Sequence, residues 1–150
     1  MGTIDGQSTA EINAPIEQVW KVVEDVERSP DWQGGMKKLT GLQRDPDQRV
    51  LLADVEVDGK VRTLHSVVRF NYDESPARLS WVQERGQLKS IVGSWELAEL
   101  EGGARTRATY RVAVDLGRLG MLIRGPIIGV LRAELVNARA GELKRAVESG

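Results

Sequence analysis

The last stretch of the sequence, Leu119 to Gly150, constrains the fold most because it predicts one long amphipathic helix. A helix from Met121 to Ser149 would be about 40 Å long at a rise of ~1.5 Å per residue. Polar residues, Arg139 and Glu142 among them, are expected to fill much of its surface. Its apolar residues recur at the three- and four-residue spacing of one helical face, and they are Leu122, Ile123, Ile127, Ile128, Leu131, Leu135, Ala138 and Val147. Such a face needs a broad surface to cover it, and only a β-sheet can supply one.

Length and composition fit a single domain over residues 1–150, with an ordered core over about 8–149. The chain is 41% hydrophobic and 29% charged, and its net charge of −1 argues against a nucleic-acid partner. The lack of cysteine excludes disulfides, thiolate metal sites and cysteine nucleophiles. Because the sequence shows neither a secretory signal nor an apolar run of ~18 residues, we expect a cytoplasmic protein without integral membrane association.

The first part of the chain predicts a strand followed by two helices. The strand covers Ser8–Asn13, and the first half-dozen residues are expected to be loose. An amphipathic helix begins at Pro15, a residue type favoured at a first helical position, and ends at about Glu27. A second, short helix is predicted over Asp31–Met36, where Gly34 and Gly35 limit its length.

From Lys37 to Asp115 the sequence predicts strands joined by short turns. Apolar and polar residues alternate in most of these segments, and Asp58-Gly59 is a typical hairpin turn. The predicted strands are Lys38–Arg44, Arg49–Val57, Lys60–Tyr72, Arg78–Glu84, Leu88–Glu99 and Arg105–Asp115. Strands connected in this way pair antiparallel, and their separation from the helices along the chain predicts an α+β fold.

The sequence contains no recognisable catalytic, phosphate-binding or metal-binding motif. The single histidine, His65, has no neighbouring ligand motif and is expected at the surface or a sheet edge. Arg105, Arg107 and Arg111 form an outward stripe, for which pairing with carboxylates across the sheet is the favoured interpretation. We therefore expect no metal and no cofactor.

The tryptophans carry the most functional information. Trp81 and Trp95 are predicted on one inward face of the sheet, either as packed core or as the wall of a ligand cavity. Inward ionisable residues are few, chiefly Tyr110 and Lys89. Gly93 lies inside a predicted strand, where a glycine often marks a bulge or a bend.

Several short segments resemble the START-like (SRPBCC) superfamily, in its polyketide cyclase/dehydrase-like branch and especially the small actinobacterial members. The segments are Ala14–Trp20 (APIEQVW), Val26–Trp32 (VERSPDW), Arg78–Trp81 (RLSW), Leu88–Trp95 (LKSIVGSW), Tyr110–Leu116 (YRVAVDL) and Glu142–Glu148 (ELKRAVE). The resemblance implies a helix-grip (Bet v 1-like) fold, in which a curved antiparallel sheet of about seven strands grips a long C-terminal helix around an apolar cavity. Members of the family bind lipids, sterols, polyketides, quinones or hormones, and a minority catalyse cyclisation or dehydration. No invariant catalytic set defines the branch.

Three functions remain open from the sequence. The first is binding or transport of a small hydrophobic molecule, the second is a cyclase or dehydratase activity, and the third is a regulatory protein-interaction role with a filled cavity. The chain is either a monomer or a homodimer. The ligand is expected to enter at the glycine-rich start of the helix, near Gly125 and Gly129. The residues predicted to line the cavity are Trp32, Val55, Leu64, Ser66, Val68, Trp81, Ile91, Trp95, Tyr110, Val112, Met121, Ile128, Leu131 and Leu135.

Overall fold

The computed structural model of the protein describes residues 2–150 and contains one seven-stranded antiparallel sheet. Its strands are β1 (Thr3–Ile12), β2 (Met36–Arg44), β3 (Val50–Asp58), β4 (Thr63–Asn71), β5 (Arg78–Gly86), β6 (Ser90–Leu100) and β7 (Arg105–Asp115). The strands are ordered β1-β7-β6-β5-β4-β3-β2 across the sheet, so every neighbouring pair except β1 and β7 is a hairpin. Short connections of this kind enforce antiparallel pairing.

The helical segments lie at three points of the chain, one of which is a short 3₁₀ helix (Glu101–Gly103) between β6 and β7. Helix α1 (Ile16–Glu24) and a 3₁₀ helix (Val26–Asp31) connect β1 to β2. After β7 come a 3₁₀ helix (Gly117–Met121) and then a nearly continuous C-terminal helical region. The parts of this region are α2 (Gly125–Arg132), a π-helical segment (Ala133–Asn137) and α3 (Arg139–Ser149). The sheet curves around this C-terminal helical region, which confirms the predicted helix-grip fold.

Two groups of buried side chains join the helices to the sheet. In the first, α1 and α3 pack on the sheet through residues such as Val19 and Leu143, both fully buried. In the second, Leu131 and Val136 of the C-terminal helical region pack with Ile4 of β1 and with Leu116 beyond β7. The space between the two groups is where a cavity opens.

The start of the chain is a correction to the prediction. Strand β1 begins at Thr3, not at Ser8, and it pairs with β7 over its whole length, from Thr3 opposite Asp115 to Ile12 opposite Thr106. The backbone N–H of Leu116 also donates to the carbonyl of Gly2 at 2.6 Å. Residues 2–6 of the segment expected to be loose are therefore held by backbone hydrogen bonds, which the polar composition of this segment did not reveal, while Met1 lies outside the described residues.

The second predicted helix is also wrong in its position. A 3₁₀ helix forms earlier, over Val26–Asp31, and Met36 is already the first residue of β2. Val26 and Ser29 are buried, and the Ser29 hydroxyl donates to the Val26 carbonyl at 2.6 Å. This local bond and the burial of Val26 hold the turn before Asp31, so the segment expected to be helical is a connection.

The C-terminal helix is less regular than predicted, and its start is later than Met121. Arg124 is extended, and Pro126 sits in the first turn of α2, where its missing N–H costs no helical hydrogen bond. Farther on, the π-helical segment interrupts the regular winding between α2 and α3. Among residues 2–150, no helix has both the length and the apolar character needed to cross a membrane.

Candidate functional site

A cavity of about 150 Å³ lies between the concave face of the sheet and the C-terminal helical region. Its wall is largely apolar, because strands present alternate side chains to opposite faces and the inward ones here are aliphatic or aromatic. Beyond the residues that the sequence predicted, the wall includes Ile4, Val23, Val26, Ser29, Gln33, Met36, Leu39, Val57, Phe70, Leu79, Leu88, Val114, Leu116, Val136 and Arg139. A largely apolar cleft or cavity with a few polar groups is the usual form of a small-molecule site.

Most of the predicted lining residues are on this wall. They are Val55, Leu64, Ser66, Val68, Trp81, Ile91, Trp95, Tyr110, Val112 and Leu135. All but Leu135 come from strands, where the two-residue period of the backbone determines which side chains share a face.

The other predicted lining residues, Trp32, Met121, Ile128 and Leu131, lie off the wall. Trp32 follows the first 3₁₀ helix and is half-buried, with its ring centroid 6.2 Å from that of Trp95. Met121 ends the 3₁₀ helix before α2, and 89% of its surface is exposed. Leu131 is fully buried in the second packed group, and Ile128 packs against the same group. These four positions depend on turns and helix winding, which strand alternation does not constrain.

A row of aromatic rings forms one side of the cavity. The ring centroids of Trp95 and Tyr110 are 4.8 Å apart, those of Trp81 and Tyr110 are 5.7 Å apart, and those of Phe70 and Trp81 are 6.2 Å apart. All three pairs are tilted, with angles between the ring planes of 56°, 34° and 50° in the same order. The row gives the cavity a rigid wall with a large apolar area.

Gly93 makes this aromatic row possible. It lies directly opposite Trp81 in the pairing of β5 with β6, and no shift of register marks a bulge at this point. A Cβ atom at position 93 would overlap the Trp81 indole ring. The absence of a side chain at Gly93 therefore leaves room for the Trp81 ring. It does not mark the bulge or bend that the place of this glycine in a strand suggested.

Arg139 is the functional candidate that sequence reasoning missed. It is only 2% exposed and lines the cavity, although the helix pattern placed it among the polar residues. Its Nη1 atom donates to Glu142 Oε1 at 2.6 Å and to the Gly34 carbonyl at 2.9 Å. Its guanidinium carbon lies 5.9 Å from the centroid of the Tyr110 ring. Its Nε atom is buried and has no hydrogen-bond partner among residues 2–150.

The π-helical segment explains why Arg139 is inside. A regular helix would continue the buried face from Leu131 to Leu135 and Ala138, but the next deeply buried residues after Leu131 are Val136, Arg139 and Ala140. One extra residue in the π turn rotates everything after it around the helix axis. Leu135 and Val136 consequently both reach the cavity wall, and α3 begins with Arg139 facing inward. Neither the period nor the composition of the sequence marks such a turn.

Of the two ionisable residues predicted to point inward, Tyr110 lies on the cavity wall and Lys89 does not. Tyr110 is buried on the wall, and burial raises the pKa of its hydroxyl, while the nearby Arg139 opposes that shift. Tyr110 therefore remains protonated at neutral pH and can donate a hydrogen bond. Lys89, by contrast, points to solvent with 73% of its side chain exposed and lies 3.9 Å from Asp115, so its predicted inward position is wrong. It belongs to the turn before β6, where strand alternation does not apply.

The outer face of the sheet carries the charged residues that the sequence assigned to it. Arg105 lies 3.1 Å from Glu11, and Arg111 lies 3.4 Å from Glu96, which confirms carboxylate pairing of the arginine stripe. His65 is exposed on β4 opposite Glu56 of β3. Within residues 2–150, no group of three or more histidine or carboxylate side chains is arranged to hold a metal ion.

Comparison with known proteins agrees with this geometry. The sequence model of the family described as "Polyketide cyclase / dehydrase and lipid transport" matches residues 3–148. A START superfamily protein from Mycobacterium smegmatis superposes with a TM-score of 0.78 at 20% identity, covering 97% of each chain. A protein from Thermus thermophilus has the same TM-score and coverage at 16% identity. The Zhui aromatase/cyclase from a Streptomyces species has a TM-score of 0.66 at 19% identity, covering 98% of this chain and 85% of its own. No curated protein sequence matches the chain.

Proposed function

Because the chain belongs to the polyketide cyclase / dehydrase and lipid transport family, we propose that it binds a small, mostly apolar molecule in the cavity beneath the C-terminal helical region. The observation that carries this proposal is the cavity of about 150 Å³ bounded mainly by aliphatic and aromatic side chains. A folded chain gains stability by filling such a space, since each unfilled volume forfeits packing contacts. Keeping it open is therefore consistent with a binding role.

Affinity would come mainly from apolar surface removed from water, at about 25 cal/mol per Å² before the costs of association. The row of Phe70, Trp81, Trp95 and Tyr110 supplies much of that surface and loses little freedom on binding, because its rings already pack against one another. The proposal thus assigns the ligand a flat or ring-containing apolar body that lies along this row.

The first experiment looks for the ligand directly. Purified protein is extracted with organic solvent and the extract is analysed by mass spectrometry, in parallel with a titration using prodan, a neutral naphthalene dye. We expect saturable dye binding with enhanced fluorescence, and displacement of the dye by the extract. Absence of both a co-purified molecule and saturable dye binding would contradict the proposal.

Two neighbouring valines on β4 provide a matched control. Val68 is buried on the cavity wall, whereas Val67 is half-buried on the opposite face of the sheet. Val68→Phe places a ring in the cavity and should abolish prodan binding, while Val67→Phe adds the same ring outside and should leave it unchanged. Equal binding by the two variants would place the dye elsewhere on the protein.

A cyclase or dehydratase activity is the second candidate, and the buried pair of Tyr110 and Arg139 favours it. A protonated phenol and a guanidinium inside an apolar cavity can polarise a carbonyl group and supply a proton to it. The test is turnover of a poly-β-ketone substrate by wild type and by Tyr110→Phe. Loss of turnover with retained binding would support catalysis, whereas absence of turnover in the wild type would leave binding alone. The cavity favours these two functions over the third hypothesis, a protein-interaction role with a filled interior.

A further inference from the structure

Three connecting segments of the chain meet at one end of the sheet. The N–H of Lys89, just before β6, donates to the carbonyl of Asp115 at the end of β7 at a distance of 2.9 Å. The ammonium group of Lys60, between β3 and β4, lies 2.7 Å from the carboxylate of Glu134 in the π-helical segment. The surface that these segments form is called the basic end here, and it consists of residues 58–62, 85–90 and 115–124.

The basic end carries an excess of positive charge in a chain whose net charge is −1. Asp58 and Asp115 are the carboxylates in its three segments. Its cations are all exposed, and they are Lys60, Arg62, Arg85, Lys89, Arg118 and Arg124. The four arginines of this set have no carboxylate within 4.0 Å among residues 2–150, unlike the arginine stripe on the outer face of the sheet. Their charge is therefore available to a partner.

Exposed apolar side chains lie on the same surface. Met121 is 89% exposed, Leu122 is 56% exposed and Val61 is 50% exposed. The next residue, Ile123, is buried in one packed group with Leu64 of β4, so the backbone that carries Met121 and Leu122 is anchored to the sheet. Apolar side chains surrounded by cations suit an anionic lipid surface, because the apolar groups enter the interface while the cations contact the headgroups.

From this arrangement we infer that the basic end docks on the surface of an anionic lipid bilayer, with Met121 and Leu122 inserted between the headgroups. A nucleic acid would engage the cations but would leave both apolar side chains in water, so a bilayer accounts for more of the surface. The wall of the cavity extends to this end through Leu64, Leu88 and Leu116, so a docked bilayer would lie beside the binding site. The inference concerns a surface outside the cavity and does not depend on which molecule the cavity binds.

The first test compares two kinds of vesicle. The protein is sedimented with vesicles of one-third phosphatidylglycerol and two-thirds phosphatidylcholine, or with vesicles of phosphatidylcholine alone. We expect the affinity for the anionic vesicles to be at least about tenfold higher and to fall as salt is added, because salt screens the attraction. Equal binding to both kinds of vesicle, or binding to neither, would overturn the inference.

Two arginines of the basic end test the electrostatic part of the contact. Arg118→Gln/Arg124→Gln should lower the affinity for the anionic vesicles at least about tenfold. Lys21→Gln/Arg145→Gln is the matched control, because it removes two exposed cations of α1 and α3 and changes the net charge equally. We expect this control to change the affinity by less than about twofold. Equal losses in the two double variants would reduce the effect to net charge and overturn the inference.

The apolar part of the contact has a control of its own. Met121→Ser/Leu122→Ser should lower the affinity for the anionic vesicles about tenfold, because less apolar surface leaves the water. Val82→Ser/Val92→Ser removes two exposed valines that lie opposite each other on the outer face of the sheet, and it should leave the affinity unchanged. Unchanged binding by the first double variant would overturn the inference.

A fluorescent label tests the orientation of the docked protein without removing any part of the charge. Because the chain contains no cysteine, a single introduced cysteine can be labelled with nitrobenzoxadiazole at one position. The label on Met121→Cys should gain intensity and shift to the blue when anionic vesicles are added, whereas the label on Val82→Cys should not. This measurement decides the question even if the double variants fail to fold. Vesicle binding without a change at position 121, or binding of labelled duplex DNA but not of vesicles, would overturn the inference.

Discussion

Gly34, in the connection before β2, lies so close to Glu142 of α3 that no side chain fits between them. The Gly34 N–H donates to Glu142 Oε2 at 2.9 Å, and a Cβ atom on Gly34 would lie 2.7 Å from the same oxygen. The Gly34 carbonyl accepts from Arg139. Both backbone polar groups of one residue are thus bonded to a single ion pair on the helix, which ties α3 to the connection before β2.

Replacing Gly34 with alanine tests this contact. Gly34→Ala should push Glu142 away, weaken the three hydrogen bonds, and lower the free energy of unfolding by about 1–3 kcal/mol. Gly129→Ala is a matched control, because its Cβ would meet nothing within 4 Å and alanine favours a helix. We expect Gly129→Ala to raise the free energy of unfolding by about 0.5–1 kcal/mol. Urea denaturation measures both changes, and equal changes of one sign would contradict the contact.

A substitution at Gly93 should weaken ligand binding through Trp81, without itself touching the ligand. Gly93→Ala should displace the Trp81 ring toward the cavity and reduce its volume, because the new methyl group would occupy the present place of the indole. We expect prodan affinity to fall about tenfold or more, since overpacking forces the ring into the space that the dye needs.

A second substitution should partly restore the dye affinity of the Gly93→Ala variant. Trp81→Phe in the Gly93→Ala background shortens the ring that the methyl group displaces, so part of the affinity should return. Dye titration and the near-ultraviolet circular dichroism of the tryptophans follow the two steps. If Gly93→Ala leaves the prodan affinity unchanged, the Trp81 ring moves away from the new methyl group without entering the cavity, which would contradict the prediction.

Because both tyrosines are buried, we expect the free energy of unfolding to fall at alkaline pH. Burial raises the pKa of both Tyr72 and Tyr110 above the ordinary value of about 10. A raised pKa in the folded state means that the stabilisation is fully present below pH ~10 and is lost as the pH rises toward the folded-state pKa. We expect the free energy of unfolding to fall by about 1.4 kcal/mol per pH unit for each tyrosine in that range.

Urea denaturation at a series of pH values from 8 to 12 measures this slope. Lysines also titrate in the range, so the tyrosine contribution is the difference between the wild type and Tyr110→Phe. The chain has only two tyrosines, which makes their absorbance at 295 nm a direct second readout. Appearance of tyrosinate in the folded protein near pH 10 would contradict the buried positions.

Leu131 and Leu135 separate the structural and the binding parts of the helix. Leu131 is fully buried and off the cavity wall, so Leu131→Ala should lower the free energy of unfolding by about 2–5 kcal/mol with little effect on the affinity of the folded protein. Leu135 is half-buried and on the wall. Leu135→Ala should cost less stability but change prodan affinity more. Thermal denaturation and dye titration of both variants check this division, and the reverse ranking would place the cavity differently along the helix.

The sheet and most of its inward side chains could be predicted from the sequence, because strands have a fixed two-residue period. That period put Trp81, Trp95 and Tyr110 on one face, and the structure places them together in one row. The beginning of β1 was not predicted, because Thr3–Gln7 contains a single large apolar residue and therefore shows no alternating pattern. Its backbone pairing with β7 is a long-range contact that no local pattern records.

The helix side of the cavity was predicted less well for a different reason. A face drawn with a constant period of 3.6 residues accumulates a rotation error as soon as one turn has a different winding. Leu131 was assigned to the cavity but is core, while Arg139 was assigned to the polar surface but lines the cavity. The connections around Trp32, Lys89 and Met121 have no period at all, and the structure places each of them off the wall.

The π-helical segment has a consequence for how such a cavity can change. Because a residue advances an ordinary helix by about 100°, losing one amino acid between Ala133 and Asn137 would turn α3 by roughly that angle relative to α2. Arg139 would leave the interior without being substituted, and a different side chain would take its place. A deletion of a single codon, with every remaining amino acid retained, would thus suffice to alter which molecules the protein prefers.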